Sequence, residues 1–186
     1  QSGRRQRQMC IRDSINTDYA EYRPKLNAEE NIMYFTSKRP GGSSDILDDQ
    51  GEYYEDIYVS KKKMGVWTEP QLVNDLINTT ESSSCLYLSP DGEHMFLSMV
   101  NNDQKLGHLG RGIYEARLDG NHWNNPEFLD QKVNSKYWET YASLDIYGNV
   151  LFFVSDREGG YGGRDIWMIK KLHSVECSEP QNLGEP

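Results

Sequence analysis

The sequence predicts an all-β fold, a β-propeller fragment of about three four-stranded blades. Two signatures that return at nearly constant spacing are the main evidence. Each unit closes on a proline that follows a tryptophan or cysteine by three residues, at Trp67–Pro70, Trp123–Pro126 and Cys177–Pro180. These prolines are 56 (126 − 70) and then 54 (180 − 126) residues apart. The second signature is an isoleucine followed by an aromatic residue, at Ile57–Tyr58, Ile113–Tyr114 and Ile166–Trp167. A radially repeated unit of short strands is typical of propeller blades.

The individual elements are predicted to be strands. A phenylalanine two residues before a serine recurs as Phe35, Phe96 and Phe153. The apolar runs around these residues are short and continuous, as expected for strands buried on both faces. Asp91-Gly92 and Gly148-Asn149 precede two of the runs and predict hairpin turns, since these residue types accept positive φ. The segment from Trp67 to Val73 is predicted to form one outer strand, and no window has a convincing helical stripe.

The predicted blades span about 19–73, 81–129 and 137–186. Residues 1–14 are excluded as a non-native or disordered segment, because Met9 to Ser14 is what a sequencing-library adapter would encode. An ordinary basic arm is the alternative. Since Pro186 lies where a fourth repeat would begin, we expect an internal fragment of a longer protein.

The charge of the chain disfavours two classes of partner. The 186 residues carry a formal net charge of −9. Residues 1–14 hold four arginines and one aspartate, so the remainder carries −9 − 3 = −12. An acidic surface disfavours nucleic acid and anionic membranes. No apolar run approaches the ~20 residues of a membrane helix, so we expect neither nucleic-acid binding nor membrane insertion by this segment.

Of the three cysteines, Cys10 lies in the excluded segment. Cys85 and Cys177 belong to different repeats at positions that do not correspond. Cys177 stands where the other repeats have Trp67 and Trp123. The sequence therefore predicts a buried thiol that replaces a packing residue, rather than a disulfide.

No motif in the chain predicts catalysis, a cofactor or a metal site. No two histidines make a zinc-binding pair. The run Gly159 to Gly163 lacks the lysine of a phosphate-binding loop and leads into a strand, so a hairpin is predicted. The loop from Asp45 to Asp56 is rich in carboxylates, which leaves open a calcium site. Its spacing does not fit a calcium-binding EF-hand loop, and a solvated acidic loop is the favoured interpretation.

A structural ion pair is predicted from a comparison of the blades. Arg39 occurs with Asp56, and Arg157 with Asp165, whereas blade 2 has lost both members together. Loss in pairs is what an arginine–carboxylate pair across the hairpin predicts, since one partner left alone is costly. We expect Arg157 and Asp165 to hold the two ends of the glycine-rich hairpin. The residues predicted to define the blade motif are Arg39, Asp56, Trp67, Pro70, Asp91, Gly92, Trp123, Pro126, Arg157, Asp165, Trp167 and Pro180.

These motifs resemble the TolB-type WD-like propeller repeat over about residues 19–186. The resemblance is carried by 89–92 (Ser-Pro-Asp-Gly), by 155–167 and by 180–184 (Pro-Gln-Asn-Leu-Gly). Blade 2 departs from the pattern at Val100 and Gly112. The glycine-rich hairpin and the link 134–139 look most like propellers of OmpA-linked, PorE-like envelope proteins of Bacteroidota. That resemblance implies a periplasmic or outer-membrane-associated scaffold whose partners are envelope proteins or peptidoglycan.

The functional expectation is non-catalytic protein or glycan binding in an envelope assembly that is peptidoglycan-linked and similar to type IX secretion. The alternative is the propeller portion of a glycoside hydrolase or peptidase with catalysis outside this fragment. Several carboxylates converging at the channel mouth would favour the enzyme. A third possibility, a lectin-like propeller, would expose aromatic side chains on one face. Fold alone does not decide between them.

Overall fold

The computed structural model describes residues 15–101, 110–172 and 176–184. The segment 1–14 and most of the loop 100–111 lie outside these residues. Blade 1 contains β1 (Glu21–Leu26), β2 (Ile32–Ser37), β3 (Asp56–Lys63), β4 (Val66–Trp67) and β5 (Gln71–Leu72). Blade 2 contains β6 (Ser83–Leu88), β7 (His94–Asn101), β8 (Gly110–Asp119), β9 (His122–Trp123) and β10 (Glu127–Phe128). Blade 3 contains β11 (Glu139–Leu144), β12 (Val150–Ser155), β13 (Asp165–Leu172), β14 (Glu176–Cys177) and β15 (Gln181–Asn182).

The predicted fold class is confirmed. Each blade is an antiparallel sheet in which the first three strands pair in sequence order and the third also pairs with two short outer strands. The first strands of the blades, β1, β6 and β11, lie side by side, with β6 against both others. These three are the inner strands of the propeller. Within the described ranges we find no helix long and apolar enough to cross a membrane.

The predicted continuous outer strand is wrong, because in each blade it is divided into two pairs of residues. In blade 1, Val66–Trp67 and Gln71–Leu72 both pair with β3. Between them, Thr68 N still donates to Lys61 O at 2.9 Å. Pro70 follows and has no N–H to donate. The closing proline therefore marks the break in the outer strand, which lets the chain bend before it rejoins the sheet.

One repeat signature is displaced by one residue in blade 2. Equivalent hydrogen bonds close the first hairpin of each blade, from Asn27 N to Ile32 O, Ser89 N to His94 O and Asp145 N to Val150 O. Counting from these bonds, the equivalent of Phe35 and Phe153 is Leu97, not Phe96. All three pair with the aromatic residue of the second signature, in blade 2 as Leu97 with Tyr114. Since one residue reverses the facing of a strand side chain, Phe96 faces blade 3 instead of blade 1.

The core lies between the blades. Between blades 1 and 2, Trp123 is 3% exposed and packs among buried residues of both blades, including Ile77, Leu88 and Met95. Between blades 2 and 3, the corresponding cluster contains Phe96 and Phe153. Stacking of successive sheets therefore stabilises the repeat, as in other repeat proteins.

Two buried asparagines that sequence analysis missed join blades 1 and 2 to the links that follow them. Asn78 Oδ1 accepts from Ile57 N at 2.7 Å, and its Nδ2 donates to Ile57 O and Val73 O. Asn134 makes the same three contacts with Ile113 and Leu129. The amide oxygen satisfies the Ile57 or Ile113 N–H, and the amide nitrogen adds a donor to two backbone carbonyls at this edge. The signal was present in the sequence, because an aliphatic residue precedes each asparagine at a spacing of 56 (134 − 78).

Candidate functional site

Blades 1 and 3 each contain a buried contact between an arginine and a glutamate. In blade 3, Arg157 Nη2 lies 3.0 Å from Glu139 Oε1, whose side chain is completely buried. Ser155 donates to the same carboxylate, and Ser135 donates to it through both its N–H and its hydroxyl. The arginine also donates to two backbone carbonyls and lies over the Phe153 ring at 4.7 Å. Every strong polar group of the contact therefore has a partner.

Blade 1 repeats this arrangement. Arg39 Nη2 lies 3.2 Å from Glu21 Oε1, and Thr17 and Ser37 donate to the same carboxylate. Burial opposes ionisation of Glu21, but hydrogen bonds from Thr17 and Ser37 and the charge of Arg39 together lower its pKa. Blade 2 has Ser83 at the position of the glutamate, by the register of its strands.

The predicted pairing of Arg157 with Asp165 is wrong. The charged partner of each arginine is the glutamate at the start of the inner strand, whereas the aspartate binds the hairpin loop. Asp165 Oδ2 accepts from the N–H groups of Tyr161 and Gly162 and from Asn182 Nδ2. Asp56 likewise accepts from the N–H and hydroxyl of Ser43. Burial raises the pKa of Asp56, and the bonds from Ser43 offset part of that rise.

The same aspartates explain a glycine in each loop. A Cβ on Gly160 would lie 2.0 Å from Asp165 Oδ2, and a Cβ on Gly42 equally close to Asp56 Oδ2. In blade 2 the aspartate is replaced by Gly112, over which the Phe128 ring packs, 2.5 Å from where a Cβ would be. The ring occupies the space of the lost carboxylate, so blade 2 replaces a polar loop anchor with an apolar contact.

The remaining motif residues have packing or turn roles. Trp123 and Trp167 are buried, while Trp67 is half-buried and lies near the Lys62 ammonium. In the first hairpin of blade 2, Asp91 Oδ1 accepts from Glu93 N at 2.9 Å and Gly92 has a φ of 79°. The closing prolines, Pro70, Pro126 and Pro180, are buried or half-buried.

The acidic loop of blade 1 uses its carboxylates within the chain. Asp48 Oδ1 accepts from the N–H groups of Gln50 and Glu52, and Lys38 lies between Asp48 and Glu52. In the part of the chain that the structure describes, no group of three or more His, Cys, Asp or Glu side chains is placed to hold a metal ion.

A pocket at the inner strands brings together residues that sequence analysis did not single out. We call it the inner pocket, and its volume is ≈ 240 Å³. Arg23 and Tyr141 lie at strand bulges of β1 and β11, with φ of 54° and 50°. Strained non-glycine backbone and bulges are concentrated at functional sites. The lining residues are Arg23, Glu55, Leu86, Ser98, Arg111, Trp138, Thr140, Tyr141 and Arg164.

At ≈ 240 Å³, the inner pocket is smaller than the ~300–1,000 Å³ typical of small-molecule sites. Three arginines line it against one glutamate, although the chain as a whole is acidic. Arg111 Nη2 lies 2.6 Å from Glu55 Oε2, and the Tyr22 hydroxyl also donates to Glu55. Burial, together with this bond to a carboxylate, raises the pKa of Tyr22. The Glu55 carboxylate is therefore already bound by side chains of the protein itself.

The two other arginines are not neutralised in this way. Arg23 Nη1 donates to Ser84 Oγ at 2.6 Å, and its guanidinium lies 5.1 Å from the centre of the Tyr141 ring. Arg164 lies 4.8 Å from the centre of the Trp138 ring. Among the described residues, no carboxylate lies within 4 Å of either guanidinium. Trp138 and Tyr141 are 53% and 56% exposed, so the pocket presents positive charge and aromatic rings to solvent.

A second pocket, the interblade pocket, lies between blades 2 and 3 and has a volume of ≈ 340 Å³. Its walls correspond, residue by residue, to the surroundings of Trp123 between blades 1 and 2, while the tryptophan itself is replaced by Cys177. The corresponding pairs are Phe96 and Tyr34, Val133 and Ile77, Leu144 and Leu88, Leu151 and Met95, and Ile169 and Ala116. Cys177 is exposed, so the predicted buried thiol is wrong. The small side chain leaves the space open instead of filling it.

Comparisons with known proteins include similarity to a solved structure. Neither a protein-family model nor a curated protein matches the chain. A solved structure provisionally assigned as TolB, from Agrobacterium tumefaciens, is similar at 13% identity and a TM-score of 0.47. The similar region covers 89% of this chain and 63% of that one. The fold described above rests on strand order and register, which are independent of this likeness.

Strand order and pocket geometry together define the class. The chain is a β-propeller-repeat protein with a cationic, aromatic pocket at its inner strands.

Proposed function

We propose that this propeller is a non-catalytic binding scaffold and that its inner pocket binds an acidic segment of a partner protein. The observation that carries the proposal is the pairing of Arg23 and Arg164 with exposed aromatic rings. A guanidinium over a ring keeps its N–H groups available to a carboxylate, and bidentate contacts of this kind are strong.

The chemistry of the lining supports binding over catalysis. Of the described residues that line the inner pocket, Glu55 alone carries a carboxylate, and Arg111 and Tyr22 hold it. Glycoside hydrolysis generally needs two carboxyl groups across the bond that is cleaved. Thr140 also lines the inner pocket, and its hydroxyl is buried without a hydrogen-bond partner in the described part of the chain. The alternative function, the propeller portion of a glycoside hydrolase or peptidase, would place catalysis outside these residues.

The proposed location is the periplasm or the outer membrane, within an envelope assembly. The resemblance of the blade motifs to OmpA-linked propellers supports this location, and no contact in the inner pocket bears on it. A role linked to peptidoglycan or to type IX secretion has the same support.

A second candidate is glycan binding, favoured by the exposure of Trp138 and Tyr141 on one face. Aromatic rings can stack on sugar rings, and the arginines could bind carboxylates of a glycan. The experiment below separates the two ligands.

The test is calorimetric titration of the chain with a hexaglutamate peptide, with hexalysine as the probe of opposite charge. We expect hexaglutamate alone to bind, and Arg164→Gln to weaken its binding by about tenfold. Lys170→Gln removes the same charge from an exposed site of blade 3 and should leave the affinity within about twofold. Equal losses in the two variants would show only a general charge effect and would overturn the assignment. Binding of a muropeptide but not of hexaglutamate would favour the glycan ligand.

A further inference from the structure

The interblade pocket has an internal template elsewhere in the same chain. Between blades 1 and 2, Trp123 enters the core from the short outer strand β9 and is 3% exposed. Its ring meets Tyr34 edge to face at 5.6 Å, and its indole N–H donates to the Tyr34 hydroxyl at 3.3 Å. The chain therefore shows which group fits a space of this shape.

Between blades 2 and 3 the same space is open. The apolar walls are retained through residues such as Phe96, Leu144 and Ile169, but Cys177 stands in place of the tryptophan. An apolar cavity of ~150 Å³ is enough to bind benzene, and this one measures ≈ 340 Å³. Its size therefore accommodates an indole ring.

The wall of the interblade pocket also carries polar groups that the interface between blades 1 and 2 lacks. His94 and Glu115 stand where blade 1 has Ile32 and Val59, and His94 Nε2 lies 2.9 Å from Glu115 Oε1. Phe96 corresponds to Tyr34 of blade 1 but lacks the hydroxyl group that accepts a hydrogen bond from Trp123. Glu115, its cross-strand neighbour, supplies an acceptor beside the same position. The nearby His94 and the charge of Arg117 lower the pKa of Glu115, which favours its ionised form.

We propose that the interblade pocket is a docking site for one aromatic side chain of a partner protein, of tryptophan size and with an N–H donor. The side chain enters from the outer strands, as Trp123 does, and its N–H donates to Glu115. The site is separate from the inner pocket. Thr140 and Tyr141 of the inner pocket lie at the start of β11, whereas Leu144 of the interblade pocket lies at its end.

The test uses ligand-observed NMR of the full chain with N-acetyltryptophanamide and, as the aliphatic control, N-acetylleucinamide. We expect the tryptophan derivative to bind with a dissociation constant on the order of 0.1–1 mM. Cys177→Trp should abolish binding because it fills the pocket, whereas Cys177→Ala, the matched control, should retain it. Equal binding by both variants, or no binding to the unmodified chain, would overturn the proposal. Binding of free indole but not of the blocked amino acid would contradict a partner side chain.

A second measurement does not depend on the folding of the tryptophan variant. Cys177 is exposed at the pocket, whereas burial raises the pKa of Cys85 to about 12. Iodoacetamide labelling followed by peptide mass spectrometry should show that saturating N-acetyltryptophanamide slows alkylation of Cys177 by about fivefold or more, since the thiol is reactive only while accessible. An unchanged rate would count against the pocket as the site of binding.

Discussion

The two interfaces between blades differ most in the residue at the Trp123 position, and that residue decides whether the interface is closed. Between blades 1 and 2, Trp123 packs against Tyr34. Between blades 2 and 3, the equivalent Cys177 is exposed beside a pocket of ≈ 340 Å³. The surrounding apolar walls are similar in both places. A repeat can therefore keep its fold with one large side chain missing, because the cost is confined to one interface.

Removing Trp123 should have the largest effect. Trp123→Ala would open the closed interface and leave the Tyr34 hydroxyl without its donor, which should lower the free energy of unfolding by about 3–5 kcal/mol. Denaturant unfolding measures this loss. Trp67→Ala, at the equivalent half-buried position of blade 1, is the matched control and should cost clearly less. Equal losses would contradict the difference between the positions.

Breaking the arginine–glutamate contact should have a comparable effect. Glu139→Ala leaves the Arg157 guanidinium in a buried site, at a cost of about 3–5 kcal/mol. A double-mutant cycle with Arg157→Leu should give a coupling energy above about 1 kcal/mol. The corresponding cycle for Arg157 and Asp165 should give little coupling. A larger coupling with Asp165 would restore the pairing that the sequence suggested.

The glycine-rich hairpin offers a comparison within one loop. Gly160→Ala would bring a Cβ onto the Asp165 carboxylate and should destabilise blade 3 by about 1–3 kcal/mol. Gly163→Ala is the control, since no atom lies within 4 Å of its Cβ position. Equal melting temperatures of the two variants would show that the Asp165 carboxylate does not require a glycine at position 160.

The stability that the Glu21–Arg39 contact of blade 1 contributes should decrease on acidification. The pKa of Glu21 in the folded chain lies below the ordinary value of 4.5. Its stabilising contribution is therefore present above that value and is lost as pH falls through the lower, folded-state pKa. Glu21→Gln should be less stable than the unmodified chain at pH 7 and should lose less stability on acidification. Parallel stability profiles would mean that Glu21 does not contribute.

The sequence predicted the fold because the repeat markers are local turns and strand residues. It misplaced Phe96, since the spacing of a phenylalanine and a serine does not report which face of the strand is buried. Backbone hydrogen bonds of the hairpin were needed to fix that register. The pairing of Arg157 with Glu139 crosses 18 residues, whereas the aspartate chosen from the sequence is nearer in the chain.

The inner pocket was harder to predict. Its residues come from all three blades, and two of them owe their position to strand bulges, which composition does not reveal. Part of the signal could have been found. Thr17, Tyr19 and Glu21 recur as Ser135, Tyr137 and Glu139 at a spacing of 118 (135 − 17). That repeat marks the entry into the inner strands of blades 1 and 3.

The most direct test of the comparison is the melting temperature of Cys177→Trp against that of Cys177→Ala. If the interblade pocket is equivalent to the space that Trp123 occupies, the tryptophan should stabilise blade 3 by about 0.5–2 kcal/mol, as cavity-filling substitutions do. Its melting temperature should then exceed those of the alanine variant and of the unmodified chain. A tryptophan variant that melts at or below the alanine variant would contradict the equivalence of the two interfaces.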